Sequence, residues 1–248
     1  MKKLFLTVMA LFSICFCLET FAATAEENFD IGMNHYRNRN YAEAVRYWIE
    51  SANQGNVVAQ YNVGYCYLAG LGVNVDDNNA AAYFYGAASK GYAPAQYYLG
   101  FCHEYARGVE RNYTEAVRWY RLSAEQGDAD GQYSLGRCYD IGRGVERNIA
   151  EAVRLYRLAA EQGHANAQHN LGGCYASGAG VERDYSIAAH YFRLAAEQGL
   201  AEAQYKYALC LHKGYGVEIN FREAVRYYRL AAEQGNRAAQ AALHQLGM

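Results

Sequence analysis

Proline occurs once in this chain, at Pro94, and the formal net charge is only −2. Proline breaks helices by removing a donor and crowding the preceding turn, so its scarcity leaves room for extensive helix. A near-neutral balance offers no basic stripe, and nucleic acid is not expected as a partner. Beyond the first eighteen positions, no apolar run approaches the roughly 18 residues of a membrane span. Catalytic signatures are missing too. The chain has no Ser-x-x-Lys, no Gly-x-Ser-x-Gly, no His-Glu-x-x-His and no phosphate-cradling glycine loop. Its seven histidines (His35, His103, His164, His169, His190, His212 and His244) share no metal-ligand spacing. The expectation is a chain without catalytic residues, cofactor or metal.

Glycine, at 24, and tyrosine, at 25, are the excesses. In a helical chain the glycines must serve as punctuation. The N-terminus reads as an export signal over residues 1–25. Met1-Lys2-Lys3 is a short basic start, and Leu4 to Leu18 is uncharged and mostly apolar. Ala23-Thr24-Ala25 then offers a small-x-small cleavage pattern, with Thr20-Phe21-Ala22 as a second candidate. Cys15 and Cys17 lack the small residue that precedes a lipidated cysteine. The expected location is the periplasm or the exterior, with no membrane span after cleavage.

Internal repetition dominates the rest. Ala59-Gln60, Ala95-Gln96, Gly131-Gln132, Ala167-Gln168 and Ala203-Gln204 recur every 36 residues without insertion or deletion. Five units follow, 59–94, 95–130, 131–166, 167–202 and 203–238. Midway each carries a turn such as Gly142-Arg143-Gly144-Val145. Leu99, Cys102 and Ala106 have helical spacing before that turn, as do Leu135, Cys138 and Gly142. After it come Asp76, Asn112, Asn148, Asp184 or Asn220, all good N-caps. Glu115, Glu151 and Glu223 sit where a capping box would reach back. Each second helix should stop at Gly91, Gly127, Gly163, Gly199 or Gly235, and Pro94 falls in the first turn of the next helix. Gly64, Gly100, Gly136 and Gly172, with Ala208 last, permit close helix approach. A lone pair of such helices cannot bury its apolar face, so neighbours must stack.

The pattern Ala-x-x-x-Leu-Gly-x-x-Tyr-x-x-Gly-x-Gly-Val, followed by an Ala-rich helix with paired aromatics and a closing glycine, resembles the Sel1-like repeat. That family is related to tetratricopeptide arrays. Residues 131–166 match most fully, through Leu135, Gly136, Tyr139, Gly142, Gly144, Val145, Ala152, Tyr156, Ala159, Ala160 and Gly163. The resemblance implies an all-α fold, an α/α solenoid coiled as a right-handed superhelix of antiparallel helix pairs. Residues 26–58 look like a degenerate capping repeat, and 239–248 like a C-terminal capping helix. It also implies an adaptor of signalling, secretion or envelope assembly. One branch, the cysteine-rich proteins of Helicobacter, is associated with penicillin binding and β-lactamase activity, which is kept as the alternative. That branch pairs two cysteines in each repeat, and this chain does not.

Cys66, Cys102, Cys138, Cys174 and Cys210 hold one place in each unit. Equivalent helices pack about 8–10 Å apart, while bridged cysteines need Cα atoms within about 7 Å. No disulfide is expected, only small buried side chains. Arg121, Arg157, Arg193 and Arg229 precede Glu125, Glu161, Glu197 and Glu233 by four residues, which reads as a salt-bridged outer face.

Binding should lie where the units differ. Aligned with tetratricopeptide geometry, the concave wall carries a nearly constant column, Tyr61, Tyr97, Tyr133, His169 and Tyr205, which inter-repeat packing would explain equally well. Beside it the positions vary: Tyr65, Phe101, Arg137, Gly173 and Leu209, then Leu68, Glu104, Asp140, Ala176 and His212, then Ala69, Tyr105, Ile141, Ser177 and Lys213. The expected protein-binding groove draws on Tyr61, Tyr65, Tyr97, Phe101, Tyr105, Tyr133, Arg137, Asp140, His169, Tyr205 and His212. Aromatic floors with mixed walls suit a protein or peptide ligand held by a monomeric chain.

Overall fold

The computed structural model describes residues 23–247. The leader reading, apart from its last three residues, lies outside them. Among the described residues all regular structure is helical, in two compact units, one ending at Val75 and the other starting at Asp76. Each is built of helix hairpins joined end to end, the α/α-solenoid construction.

The first unit holds α1 (Ala25–Arg37), α2 (Tyr41–Asn53) and α3 (Val57–Ala69), each packed on the next. Trp48, Val45, Val63 and Cys66 are buried. Gly32 is the place on α1 where a Cβ would meet the Trp48 ring, so glycine here makes room for the indole.

The second unit runs through α4 (Asp77–Ser89), α5 (Ala93–Tyr105), α6 (Tyr113–Glu125), α7 (Ala129–Ile141), α8 (Ile149–Glu161), α9 (Ala165–Ser177), α10 (Tyr185–Glu197), α11 (Ala201–Lys213), α12 (Phe221–Glu233) and α13 (Arg237–Gln245). Consecutive helices pack together, and the first helices of adjacent hairpins touch at α5 and α7. The core forms successive clusters, Tyr120 with Leu135 and Leu155, then Tyr156 with Leu171 and Cys174. Burying each ring contributes about 2 kcal/mol.

The helices start where the sequence placed their caps. Asn112, Asn148 and Asn220 accept from the backbone N–H three residues on. Pro94 sits in the first turn of α5. The expected capping boxes, however, form only half way. Each asparagine's own N–H already donates to the preceding helix, Asn112 to His103, Asn148 to Tyr139 and Asn220 to Leu211. With that donor taken, Glu115, Glu151 and Glu223 turn instead to Arg118, Arg154 and Arg226. Thr24, whose N–H donates to the Glu27 carboxylate, closes the complete box.

The turn glycines behave as the sequence required. Gly142 closes α7 in the left-handed region at φ 69°, and a Cβ on Gly144 would strike the backbone at Tyr113 of the previous hairpin. In the second hairpin, Ala106 takes the left-handed position itself, at φ 56°. The helical spacing assigned to Ala106 therefore ends one residue earlier, at Tyr105.

The repeated glutamine is a clasp at four positions, Gln96, Gln132, Gln168 and Gln204. Gln132 is buried, donates to the Ala124 carbonyl of the helix before, and accepts from Gln162 at the end of its own hairpin, at 2.8 Å. Gln96, Gln168 and Gln204 repeat both bonds, with Gln126, Gln198 and Gln234.

A second thirty-residue pairing joins the turns. The middle residue of the turn meets the first residue of the previous second helix: Arg107 pairs with Asp77 at 2.6 Å. Arg143 lies over the Tyr113 ring at 5.3 Å, and Tyr215 stacks on Tyr185 at 5.3 Å.

Candidate functional site

Five tyrosine-column residues were expected on one binding wall, and the structure places the column half inside the fold. The Tyr97 ring lies 5.9 Å from Tyr120, Tyr133 6.0 Å from Tyr156, His169 5.7 Å from Phe192 and Tyr205 5.9 Å from Tyr228. Each partner belongs to the second helix of the same hairpin and is buried. The second-helix ring in turn fills the space left by a glycine: a Cβ on Gly100 would sit 2.7 Å from Tyr120, and one on Gly136 2.9 Å from Tyr156. These ring contacts lie within each hairpin, whereas the alternative expected for the column was packing between repeats. Burial pushes the Tyr97 hydroxyl above its ordinary pKa, and Tyr133 also, although the Arg137 charge opposes the shift there.

The neighbouring column, Leu68, Glu104, Asp140, Ala176 and His212, varies for a reason the sequence reading missed. Tyr120 donates to Glu104 at 2.7 Å, Tyr156 to Asp140 at 3.3 Å, and His212 Nδ1 lies 3.4 Å from the Tyr228 hydroxyl. All three spans are sixteen residues. Where the second helix has Phe84 or Phe192, the position sixteen earlier is Leu68 or Ala176. A buried hydroxyl needs a partner and a phenyl ring does not. Asp140 and His212 therefore serve their own hairpins, with half-exposed edges left over.

Glu104 is the exceptional member, 4% exposed, with two guanidinium partners besides the Tyr120 hydroxyl. Arg143 Nη1 reaches its Oε1 at 2.9 Å and Arg137 Nη2 at 3.4 Å. Above this buried acid, Arg137 also donates to the Tyr105 hydroxyl at 3.5 Å and lies over the Tyr133 ring at 5.9 Å. Burial would depress the Arg137 guanidinium, but the Tyr105 hydrogen bond and the Glu104 charge raise it above the ordinary arginine value. Phe101 and Tyr105 face each other with centroids 4.7 Å apart, and Tyr105 is 42% exposed. Phe101, Tyr105, Tyr133 and Arg137 thus form one aromatic and cationic patch on α5 and α7.

Tyr61 and Tyr65 belong to the first unit. There they line an apolar pocket of about 380 Å³ with Phe29, Met33, Val58 and Asn62.

Other expectations need amendment. The arginine column does not pair with glutamates four residues on: Arg121 and Arg157 donate to the Tyr139 and Tyr175 hydroxyls of the following first helix, at 3.3 and 2.9 Å. Reaching the next hairpin's hydroxyl puts the guanidinium across the seam between hairpins, exposed at Arg121 and half-buried at Arg157. The five repeat cysteines are buried free thiols, packed as small apolar side chains. Burial pushes Cys66, Cys174 and Cys210 up to about 11, and Cys102 and Cys138 up to about 12. No group of three or more metal-ligating side chains is clustered among the described residues, and no helix there is long and apolar enough to cross a membrane.

The Sel1 repeat model matches residues 35–56, 57–92, 93–128, 129–164, 165–200 and 201–236. The last five segments each begin at the first residue of a first helix, two positions before the units read from the Ala-Gln marker. Among solved structures, a Sel1 repeat protein from Oxalobacter formigenes is 35% identical, with TM-score 0.80 over 89% of this chain and 90% of that one. A protective antigen of uropathogenic Escherichia coli is 34% identical, with TM-score 0.79, covering 87% of this chain and 47% of its own length. This chain therefore spans about half of that antigen. An immunity protein of Pseudomonas aeruginosa, at 19% identity and TM-score 0.56, shares the fold. No curated protein matches the sequence. In-phase matches across most of the described residues, together with hairpins that begin where the matches begin, make this chain a member of the Sel1 repeat family.

Proposed function

We propose that this chain is an exported, non-catalytic adaptor, and that the α5–α7 patch of Phe101, Tyr105, Tyr133 and Arg137 holds a segment of a protein partner. Membership of the Sel1 repeat family is consistent with a protein-interaction scaffold. The observation that carries the finer reading is Tyr105, exposed beside Phe101 and oriented by Arg137. Of the expected groove residues in the second unit, Tyr97, Tyr133, Tyr205, His169, Asp140 and His212 are engaged by their own hairpins, and Tyr133 joins the patch through the Arg137 guanidinium over its ring. Phe101 and Tyr105 make their ring contacts within the patch or on α5 itself. Aromatic side chains and arginine carry a large share of binding energy at protein interfaces because they offer area with little entropy loss. Export rests on the basic, apolar and small-residue order of the first 25 positions.

Crosslinking in the native host, followed by mass spectrometry, identifies the partner. The double variant Phe101→Ala, Tyr105→Ala should lose that capture at least tenfold while keeping its helical circular dichroism and melting temperature. Undiminished capture by a folded variant overturns the assignment of the patch, and hydrolysis of nitrocefin by purified protein overturns the non-catalytic reading.

A further inference from the structure

Two peptide bonds at the end of the leader satisfy the small-x-small preference, the one after Ala25 and the one after Ala22. The sequence pattern places the first ahead, with the second as the lesser candidate. The fold separates them, because residues 23–25 are integral to the first hairpin. Thr24 is the N-cap of α1, its hydroxyl accepting from the Glu27 N–H and its own N–H donating to the Glu27 carboxylate at 2.8 Å. The Thr24 carbonyl accepts from the Asn28 N–H, the first bond of the helix. The Ala23 carbonyl accepts from two side chains, Asn28 Nδ2 at 2.9 Å and Gln54 Nε2 at 3.1 Å. The Ala25 carbonyl accepts from the Ser51 hydroxyl on α2. Asn28 is 6% exposed and Ser51 fully buried in the intact hairpin, where these carbonyls are their acceptors.

We infer that the leader is removed between Ala22 and Ala23, so that the mature protein begins at Ala23. This rests on the export reading above. A leader peptidase adds water across the Ala22–Ala23 amide; Ala22 leaves as a carboxylate and Ala23 gains the free amine. The cut keeps the capping box and every acceptor just named. A cut after Ala25 strips the cap, leaves the Asn28, Ser51 and Gln54 donors without their carbonyls, and sets a new ammonium on the positive end of α1. The acidic first turn, Glu26 and Glu27, instead suits an ammonium held a few residues upstream.

Intact mass and N-terminal sequencing of the full chain, exported by a bacterial host, test this directly. A start at Ala23 is expected. A start at Glu26 overturns the inference and leaves export standing; recovery with Met1 overturns both. In parallel, two leaderless proteins beginning at Ala23 and at Glu26 are released from a cleavable tag. The shorter one should melt several degrees lower and lose hydrogen-exchange protection in α1, and identical melting and exchange would overturn the structural basis of the inference.

Discussion

Glu104 shows how much one side chain can be asked to do. It accepts from Tyr120 and pairs with two arginines while almost wholly buried. Glu104→Ala should cost about 3 kcal/mol, since the hydroxyl and both cations lose their partner together. Tyr120→Phe alone should cost about 1 kcal/mol, because the acid keeps its arginines. A double-mutant cycle read by urea denaturation should return a coupling of about 1 kcal/mol; additive values would show the pair to be independent. Ala106 offers the opposite sign. A non-glycine residue in the left-handed region costs about 1–2 kcal/mol, partly offset by glycine's greater chain entropy, so Ala106→Gly should stabilise by about 0.5–1 kcal/mol. The cysteines carry a pH signature. In the unfolded chain a thiol ionises near roughly 8.5, whereas the folded thiols hold their protons to about 11 or 12. Between those values the unfolded chain binds fewer protons, so stability falls as pH rises. Melting temperature should decline from pH 8.5 toward 11, and native protein at pH 8 should resist alkylation until denaturant is added.

At the level of the helix, fit between glycine and ring governs each hairpin. Gly136→Ala brings a methyl group to within 2.9 Å of the Tyr156 ring, and should cost about 1–3 kcal/mol by overpacking, measured by chemical denaturation. The last full hairpin already carries Ala208 opposite Tyr228, and there the hydroxyl partner is a histidine at a looser 3.4 Å. Helix starts, turns and small-residue positions were legible because each depends on neighbours a few residues away. Their in-phase repetition multiplied that local signal. The hydroxyl pairing between Tyr120 and Glu104 was also present in the sequence, as a co-variation sixteen residues apart, but it looked like freedom to vary. Variation along a column had been equated with exposure to a ligand. Here much of it records which second-helix rings carry a hydroxyl. The fate of Glu115 was not legible, since it depended on whether the Asn112 N–H was already engaged by His103.

Across the second unit, interactions reach only to adjacent hairpins, so damage at one end should spread from that end. Leu243 and Leu246 of the last segment pack on the cluster that contains Tyr227 and Leu211. Truncation before Arg237 should therefore strip hydrogen-exchange protection from α11 and α12 first, with α5 to α8 nearly unchanged; uniform loss would reveal a single cooperative block instead. The patch proposed on α5 and α7 would then survive terminal fraying, which truncated protein can be made to show by retained partner capture.

The glutamine clasps bear on how such a chain can grow. One bond of each clasp closes inside a single period and the other reaches back only eight residues. A tandem duplication of a 36-residue unit from 95–238 thus arrives with its adhesive complete, and recombination can lengthen the array without inventing a contact. The turn pairs follow the opposite rule. Asp77 suits Arg107 and Tyr185 suits Tyr215, so a newly made junction brings together side chains that were not partners before and must settle into a chemistry of its own.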